Sequence, residues 1–122
     1  FMEVKRVLKI TGIFVFSIGN PISEVTKKVV FNGKVLRVLG ISDYFNEKFN
    51  YSTWTFENGS KVKIPSHHKT YETVINIILK NGFEIVGYKD TIPSKISKKY
   101  FPKDYSIYSK FPYFCVWKVR KK

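Results

Sequence analysis

Apolar residues recur at helical spacing in two stretches of the chain. In residues 1–9, Phe1, Val4 and Leu8 share one face. The second stretch begins at Thr70, whose hydroxyl is a good N-cap, and ends at the Asn-Gly pair of residues 81–82. Its apolar stripe is formed by Tyr71, Val74, Ile75, Ile78 and Leu79. The pattern predicts one helix at the start of the chain and a longer one after Thr70.

Five other stretches have the composition of β-strands. Residues 13–18 are apolar on nearly every position, which is typical of a central strand in a helix-covered parallel sheet. Residues 83–88 and 113–119 alternate enough to predict two further strands. Residues 52–56 and 61–64 are separated by an Asn-Gly turn, so they predict a β-hairpin.

Two regions between these elements have weaker patterns. Ile22, Val25, Val29 and Val30 predict a helix that begins near Pro21. Together with the hairpin, residues 21–65 form either an insertion that acts as a lid or a surface excursion that caps the core. Residues 89–112 contain three prolines among many lysines and tyrosines, so they predict a long loop.

Composition limits the function classes. The chain has 122 residues, which suffices for one domain over residues 1–122, and a net charge of +13. Its single cysteine and two histidines make a disulfide or a structural zinc site improbable, so we expect no metal. No apolar run reaches the roughly 18 residues of a membrane span, and the first residues are not a signal peptide. We therefore expect a cytoplasmic protein with no membrane partner.

The positive charge favours a nucleic-acid partner only weakly. Of the 22 basic residues, only Arg6, Arg37 and Arg120 are arginines, whereas readout of bases favours arginine. Lysines lie along the whole chain, which lacks alanine and glutamine altogether. This pattern indicates a general compositional bias more than a dedicated binding face, so a nucleic-acid partner is possible but not favoured.

Five strings resemble, in order, the C-terminal half of class I S-adenosylmethionine-dependent methyltransferases of the small-molecule kind. They are VLKITG at residues 7–12, FVFSIGNP at 14–21, HHKT at 67–70, NGFEI at 81–85 and FCVWKV at 114–119. The resemblance implies an α/β fold: the C-terminal part of a Rossmann-like sheet that ends in an antiparallel strand pair and carries an inserted β-hairpin.

The resemblance also implies that S-adenosylmethionine is bound mainly by an N-terminal half that would precede Phe1. The family's glycine-rich loop belongs to that half, and no G-x-G-x-G string occurs in this sequence. We expect the chain to be a fragment or a degenerate product that does not bind the cofactor well alone.

His68 is the strongest candidate for chemistry. Imidazole titrates near neutral pH, and the resemblance places this position near the acceptor pocket, so His68 is a possible general base. The alternative is that His68 only helps to terminate the hairpin. His67 is a weaker candidate for contact with the substrate.

The remaining candidates lie at a strand exit and in the insertion. Ser17 and Asn20 follow the apolar strand and could contact the cofactor, although Asn20 could simply cap the loop before a proline. Tyr44 and Trp54 could line an apolar acceptor pocket, although aromatic residues are more often part of the core. Glu24, Asp43 and Glu47 could form a carboxylate site, although their spacing does not require one.

Three functions remain open. The first is methyl transfer from S-adenosylmethionine to a small-molecule acceptor by the complete protein, with this piece alone inactive. The second is a non-catalytic oligomerisation or regulatory module, in which an exposed sheet edge forms a homo-oligomer. The third is an RNA-associated basic module.

Overall fold

The computed structural model describes residues 1–39 and 43–122; Gly40, Ile41 and Ser42, which belong to the predicted insertion, lie outside the described residues. The helices are α1 (Met2–Val7), α2 (Pro21–Glu24), α3 (Tyr71–Lys80), α4 (Ser97–Tyr100) and α5 (Pro102–Tyr108). The strands are β1 (Ile13–Gly19), β2 (Thr26–Phe31), β3 (Lys34–Leu39), β4 (Phe49–Thr55), β5 (Lys61–His67), β6 (Phe83–Asp90) and β7 (Phe114–Lys121). No helix in the described part of the chain is long and apolar enough to cross a membrane.

The main sheet has three antiparallel strands in the order β1-β7-β6. Phe14 lies opposite Val119, which lies opposite Ile85 on the other side. Since side chains alternate between the two faces of a strand, this row belongs to one face, and the neighbouring row containing Val15 and Lys118 belongs to the other. The sheet ends in an antiparallel strand pair, as predicted.

The core lies between one face of this sheet and helix α3. Ile78 of α3, Phe83 of β6 and Val119 of β7 are fully buried together with Cys115. The ring of Phe1 makes edge contacts with Phe14 and Phe16 of β1 and with Phe83 of β6, whose ring centre lies 5.8 Å away. The apolar stripe of α3 and the inward rows of the strands therefore supply the core, with the exception of Leu79, which is predicted to belong to the stripe but is 48% exposed.

The predicted long helix and hairpin are confirmed, and local chemistry explains both. The Thr70 hydroxyl accepts a hydrogen bond from Thr73 N at 3.1 Å, so it caps α3. Gly82 ends the helix with φ of +78°, a conformation that favours glycine. Gly59 has φ of +80° in the turn between β4 and β5, which pair antiparallel from Phe49–His67 to Thr55–Lys61.

Two predicted elements are wrong. The helix from Pro21 ends at Glu24, and the chain continues as β2, which pairs with β3 around the turn at Asn32 and Gly33. Residues 89–112 are not only a loop, because they contain α4 and α5. In the first case the apolar spacing is compatible with a helix or a strand, and pairing of β2 with β3 decides for the strand. In the second case Pro102 stands at the first position of α5, where proline is tolerated.

The expectation that β1 is a central strand of a parallel sheet stays a prediction, because the other strands of that sheet would belong to the N-terminal half that the resemblance implies. Within the described residues β1 pairs only with β7, antiparallel, and so lies at the edge of the sheet. Its second face is open, with Ile13 44% and Val15 55% exposed. The apolar composition of β1 is thus compatible with a covered strand, but the chain itself covers only one face.

We expect the thiol of Cys115 to be inert in the folded protein. Burial raises the pKa of this thiol, and the side chain has no exposed surface. A disulfide reagent should therefore react on the order of a hundredfold more slowly with native protein than with protein in urea. The absorbance of the thiol that the reagent releases measures both rates. Equal rates in native and urea-unfolded protein would contradict the burial of Cys115.

Candidate functional site

A cleft of about 590 Å³ opens beside the carboxyl end of β1. It is bounded by the exit of β1, the β4–β5 hairpin, residues 43–48 (the 43–48 segment) and the chain around the start of β7. Aromatic walls and a few polar groups are typical of small-molecule sites. The aromatic side chains that line the cleft are Tyr51, Trp54, Tyr108, Tyr113 and Phe114, and the polar ones include Glu24, Asp43, Lys48 and His68.

His68 lies at the base of this cleft with only 2% of its surface exposed. Its Nδ1 lies 3.0 Å from Glu24 Oε2, and its Nε2 lies 2.7 Å from the backbone carbonyl oxygen of Tyr44. Since the carbonyl can only accept, Nε2 must carry a proton and donate it. His68 and Tyr44, which the sequence indicates as two unrelated candidates, are in direct contact in the structure.

The contact between His68 and Glu24 requires a second proton. With Nε2 already protonated, a neutral imidazole has a lone pair on Nδ1. That lone pair would face a lone pair of the ionised carboxylate with no proton between them, which is unfavourable. The pair therefore holds one shared proton, as imidazolium with carboxylate or as imidazole with carboxylic acid. Burial raises the pKa of the Glu24 carboxyl, although its hydrogen bond with His68 acts in the opposite direction.

Gly19 allows this arrangement. A Cβ atom at this position would lie 2.5 Å from Glu24 Oε1. The carboxylate thus packs directly against the backbone at the exit of β1, held there by the short helix α2 that begins at Pro21. A side chain at position 19 would displace Glu24 from His68.

The 43–48 segment is fastened to the N-terminus of α3. Tyr71 N donates to the Tyr44 hydroxyl at 3.1 Å, and Thr70 N donates to Glu47 Oε1 at 2.9 Å. Lys69 Nζ lies 3.3 Å from the other oxygen of Glu47. Hydrogen bonds with Thr73 and with the Thr70 backbone hold the pKa of Glu47 at about 2. The helix N-terminus, which favours negative charge, therefore orders one wall of the cleft.

We predict that Glu47 makes the stability of the fold sensitive to acid. Because its folded pKa lies below the ordinary value of 4.5, its contribution is complete above about pH 4.5. That contribution is lost as the pH falls towards 2. Glu47→Gln should flatten this part of the stability profile and cost about 0.5–1 kcal/mol at neutral pH. Urea unfolding at several pH values measures both effects.

Glu57→Gln is the control, because Glu57 lies on the exposed turn between β4 and β5. It should leave the acid dependence as it is in the unmodified chain. An identical pH profile for the Glu47 and Glu57 variants would show that Glu47 does not cap α3 in solution.

Asn20 is the centre of a second polar network at the exit of β1. Its amide nitrogen donates to Asp90 Oδ1 at 2.8 Å, and its amide oxygen accepts from Ile22 N and from the Tyr71 hydroxyl. The Tyr88 hydroxyl donates to the same Asp90 oxygen at 2.6 Å. Partial burial, together with this hydrogen bond, raises the pKa of Tyr88. Asn20 is fully buried, and its amide is fully used in capping α2 and joining it to the sheet.

The other candidates lie apart from this centre. Ser17 is exposed on the open face of β1, opposite Val116. His67 is exposed, with its ring 5.9 Å from the Phe49 ring, and it lines a second cavity of about 190 Å³ near Phe16. Trp54 lines the main cleft, 46% exposed. Within the described residues no group of three or more His, Cys, Asp or Glu side chains could hold a metal ion.

Sequence reasoning did not find the partners of the candidate residues. Glu24 and Glu47 were considered only as members of a common carboxylate site, whereas the structure gives one to His68 and the other to α3. The short helix that begins at Pro21 was a signal for the position of Glu24, since it places that residue one turn after the exit of β1. No local signal indicated Tyr71, Tyr88 or Asp90.

The chain superimposes on two solved structures. One, from Listeria monocytogenes and assigned as an S-adenosylmethionine-dependent methyltransferase, is 24% identical with a TM-score of 0.73; the match covers 99% of this chain and 53% of that chain. The other, an S-adenosylmethionine-dependent methyltransferase from Mesorhizobium loti, is 20% identical with a TM-score of 0.69, covering 98% and 52%. The chain matches no protein-family profile and no curated protein sequence.

The chain therefore spans about half the length of these two structures. The match takes in nearly the whole of this chain. The fold that the five strings between residues 7 and 119 imply is thus confirmed. The chain has the fold of the C-terminal half of a class I S-adenosylmethionine-dependent methyltransferase.

Proposed function

We propose that this chain supplies the acceptor-binding part of a methyltransferase that acts on a small molecule. The observation that carries the proposal is the cleft of about 590 Å³ at the carboxyl end of β1. In open α/β sheets, ligands bind at the carboxyl ends of strands, and this cleft is large enough for a small organic acceptor. Tyr51, Trp54 and Tyr113 would supply its apolar contacts.

The residues of this chain do not fit a complete cofactor site. Both ends of the buried Asn20 amide are occupied by protein groups, so this side chain has nothing to offer a ligand. Ser17 lies on the open face of β1, and the sequence has no glycine-rich loop. In this proposal S-adenosylmethionine is held mainly by residues outside this chain.

For the proton of the acceptor, we propose that Glu24 and His68 act together. A histidine with both ring nitrogens hydrogen-bonded has no free lone pair, so His68 is not a base by itself in this geometry. Glu24 is the accessible end of the pair, with 23% of its side chain exposed against 2% for His68. A carboxylate whose pKa burial raises is a better base than an ordinary one. His68 would orient it.

Calorimetry with S-adenosylmethionine tests whether the cofactor is bound mainly by residues outside this chain. We expect no binding to the 122-residue chain and binding to a protein in which an N-terminal methyltransferase half precedes it. In that longer protein, Glu24→Gln should lower kcat by about 10²-fold or more and leave acceptor affinity nearly unchanged. If neither form binds S-adenosylmethionine, the proposed methyltransferase function is refuted. If the Glu24→Gln variant is fully active, the proposed role of Glu24 as the base is refuted.

The open edge of β1 favours one second candidate, a module that forms a homo-oligomer. Among residues 1–39 and 43–122, β1 has a pairing partner on one side only, and Ile13 and Val15 are exposed beside the open edge. Unpaired edges with apolar side chains promote association. Sedimentation velocity tests this candidate: Val15→Lys should dissociate the oligomer, whereas Val62→Lys on the separate β4–β5 hairpin should not. A monomer at all concentrations would exclude it.

A further inference from the structure

The connection between β6 and β7 exposes four large side chains that the fold does not use. Ile92, Ile96, Tyr100 and Phe101 are each more than 60% exposed, at 72%, 64%, 61% and 62%. Ile96 is the N-cap of α4 and Tyr100 is its last residue, so these two lie one turn apart on the same side of the helix. Burial of such side chains in the core would contribute substantially to the free energy of folding, but here they are exposed to solvent.

Lysines outnumber acidic residues around these side chains, where Asp90 and Asp104 stand at the two ends of the segment. Lys95, Lys98, Lys99 and Lys103 are all exposed, and residues 91–103 contain no Asp or Glu. Lys99 Nζ lies 5.5 Å from the centre of the Tyr100 ring. We call the four apolar side chains and these four lysines the apolar–lysine patch. It is more basic than the chain as a whole, where 9 acidic residues stand against 22 basic ones.

We propose that the apolar–lysine patch is a docking surface for membranes that contain anionic lipids. Apolar side chains that enter the boundary of the acyl chains, flanked by lysines that contact phosphate headgroups, are the two components of interfacial binding. The long lysine stems can lie along the apolar part while the ammonium groups reach the headgroups. Tyrosine is favoured at such interfaces, because its ring is apolar and its hydroxyl is polar.

The composition of the patch favours a lipid surface over a macromolecular partner. Single-stranded RNA stacks on aromatic rings and on arginine, whereas Ile92 and Ile96 have no π face and residues 91–103 contain no arginine. The cores of protein–protein interfaces are depleted of lysine, and four lysines interleave the apolar residues here. The expectation of no membrane partner rested on the absence of a spanning segment, which peripheral binding does not require.

The position of the patch leaves it accessible beside the cleft. β6 lies at the edge of the sheet opposite β1, and the connection from β6 leads to β7, which pairs with β1 in the middle of the sheet. Helix α5 directly follows Phe101, and its last residue, Tyr108, lines the cleft. A membrane bound at the patch would therefore lie near the cleft without occupying it.

Flotation with vesicles tests this proposal on the whole chain. The probes are vesicles of phosphatidylcholine alone and of phosphatidylcholine with phosphatidylserine, and a uridine oligonucleotide. We expect binding to the anionic vesicles that weakens with salt, and much weaker binding to the neutral ones. Lys98→Glu with Lys99→Glu should lower the affinity by about twentyfold or more, since each lysine near such a surface contributes about fivefold.

A second variant tests the apolar component, and a third serves as the control. Ile96→Ser with Phe101→Ser should lower affinity by about tenfold with the charge unchanged. Phe56→Ser with Lys61→Glu removes an exposed aromatic and a lysine from the β4–β5 turn, and should bind like the unmodified chain. All these positions are exposed, and circular dichroism confirms that each variant folds. Equal losses in the control, equal binding to both vesicles, or binding to the oligonucleotide alone would overturn the proposal.

Discussion

Replacing Phe83 by alanine is expected to lower the free energy of unfolding by about 3–5 kcal/mol. The Phe83 ring has no exposed surface, and it packs at the start of β6 between helix α3 and the ring of Phe1. Truncation removes its burial from water and leaves a cavity that the neighbouring strands cannot close. Since small domains have a total stability of about 5–15 kcal/mol, much of the protein should be unfolded at modest urea concentrations. Equilibrium urea unfolding followed by circular dichroism measures the loss.

Phe56→Ala is the matched control for this prediction. The Phe56 side chain lies at the turn of the β4–β5 hairpin with 53% of its surface exposed. Its truncation should change the free energy of unfolding by no more than about 0.5 kcal/mol. If the two variants lose similar stability, Phe83 does not occupy the core position described above.

Replacing His68 by leucine is expected to cost about 2–4 kcal/mol. Leucine keeps most of the buried volume but removes both ring nitrogens. The Tyr44 carbonyl oxygen and the partly exposed Glu24 carboxyl then lose their partner, and the leucine side chain offers no hydrogen bond in return. The 43–48 segment should loosen from α3, so proteolysis within it should become faster. Urea unfolding and limited proteolysis measure the two effects.

Two variants show whether this loss comes from the polar contacts. His67→Leu, at the exposed neighbouring position, should change stability by no more than about 0.5 kcal/mol. Glu24→Gln should cost less than about 1 kcal/mol, because a glutamine amide can donate to or accept from Nδ1 and thus replace the shared proton. A Glu24→Gln variant as unstable as His68→Leu would show that the pair is not held by a single proton.

The candidate residues that the sequence indicates are those with local chemical character. His68 and Trp54 are distinctive side chains, and both line the cleft. The assignment of Asn20 to the cofactor was a reasonable inference from its position after a strand. Its actual partners, Tyr71 and Asp90, come 51 and 70 residues later, and no spacing in the sequence could indicate them.

The wrong prediction of a helix beyond Glu24 and the open prediction for β1 have a common physical cause. Val25, Val29 and Val30 are compatible with a helix, yet valine also favours strands, and antiparallel pairing of β2 with β3 satisfies the backbone there. The apolar residues of β1 predicted neighbours on both sides, but its pairing partner within this chain is β7 alone. The apolar composition of a strand shows which of its faces could be buried, whereas the neighbouring strands and helices determine which faces are buried.

By itself, the sequence determined the elements whose signals are local. Thr70 and Gly82 mark the ends of α3 through their own hydroxyl and conformational freedom, and Asn58 with Gly59 forms the hairpin turn. Only the tertiary structure decided that Glu24 meets His68 and that Glu47 meets Thr70. A cap or a turn depends on a few adjacent residues, but a buried proton shared between distant side chains depends on where the whole chain places them.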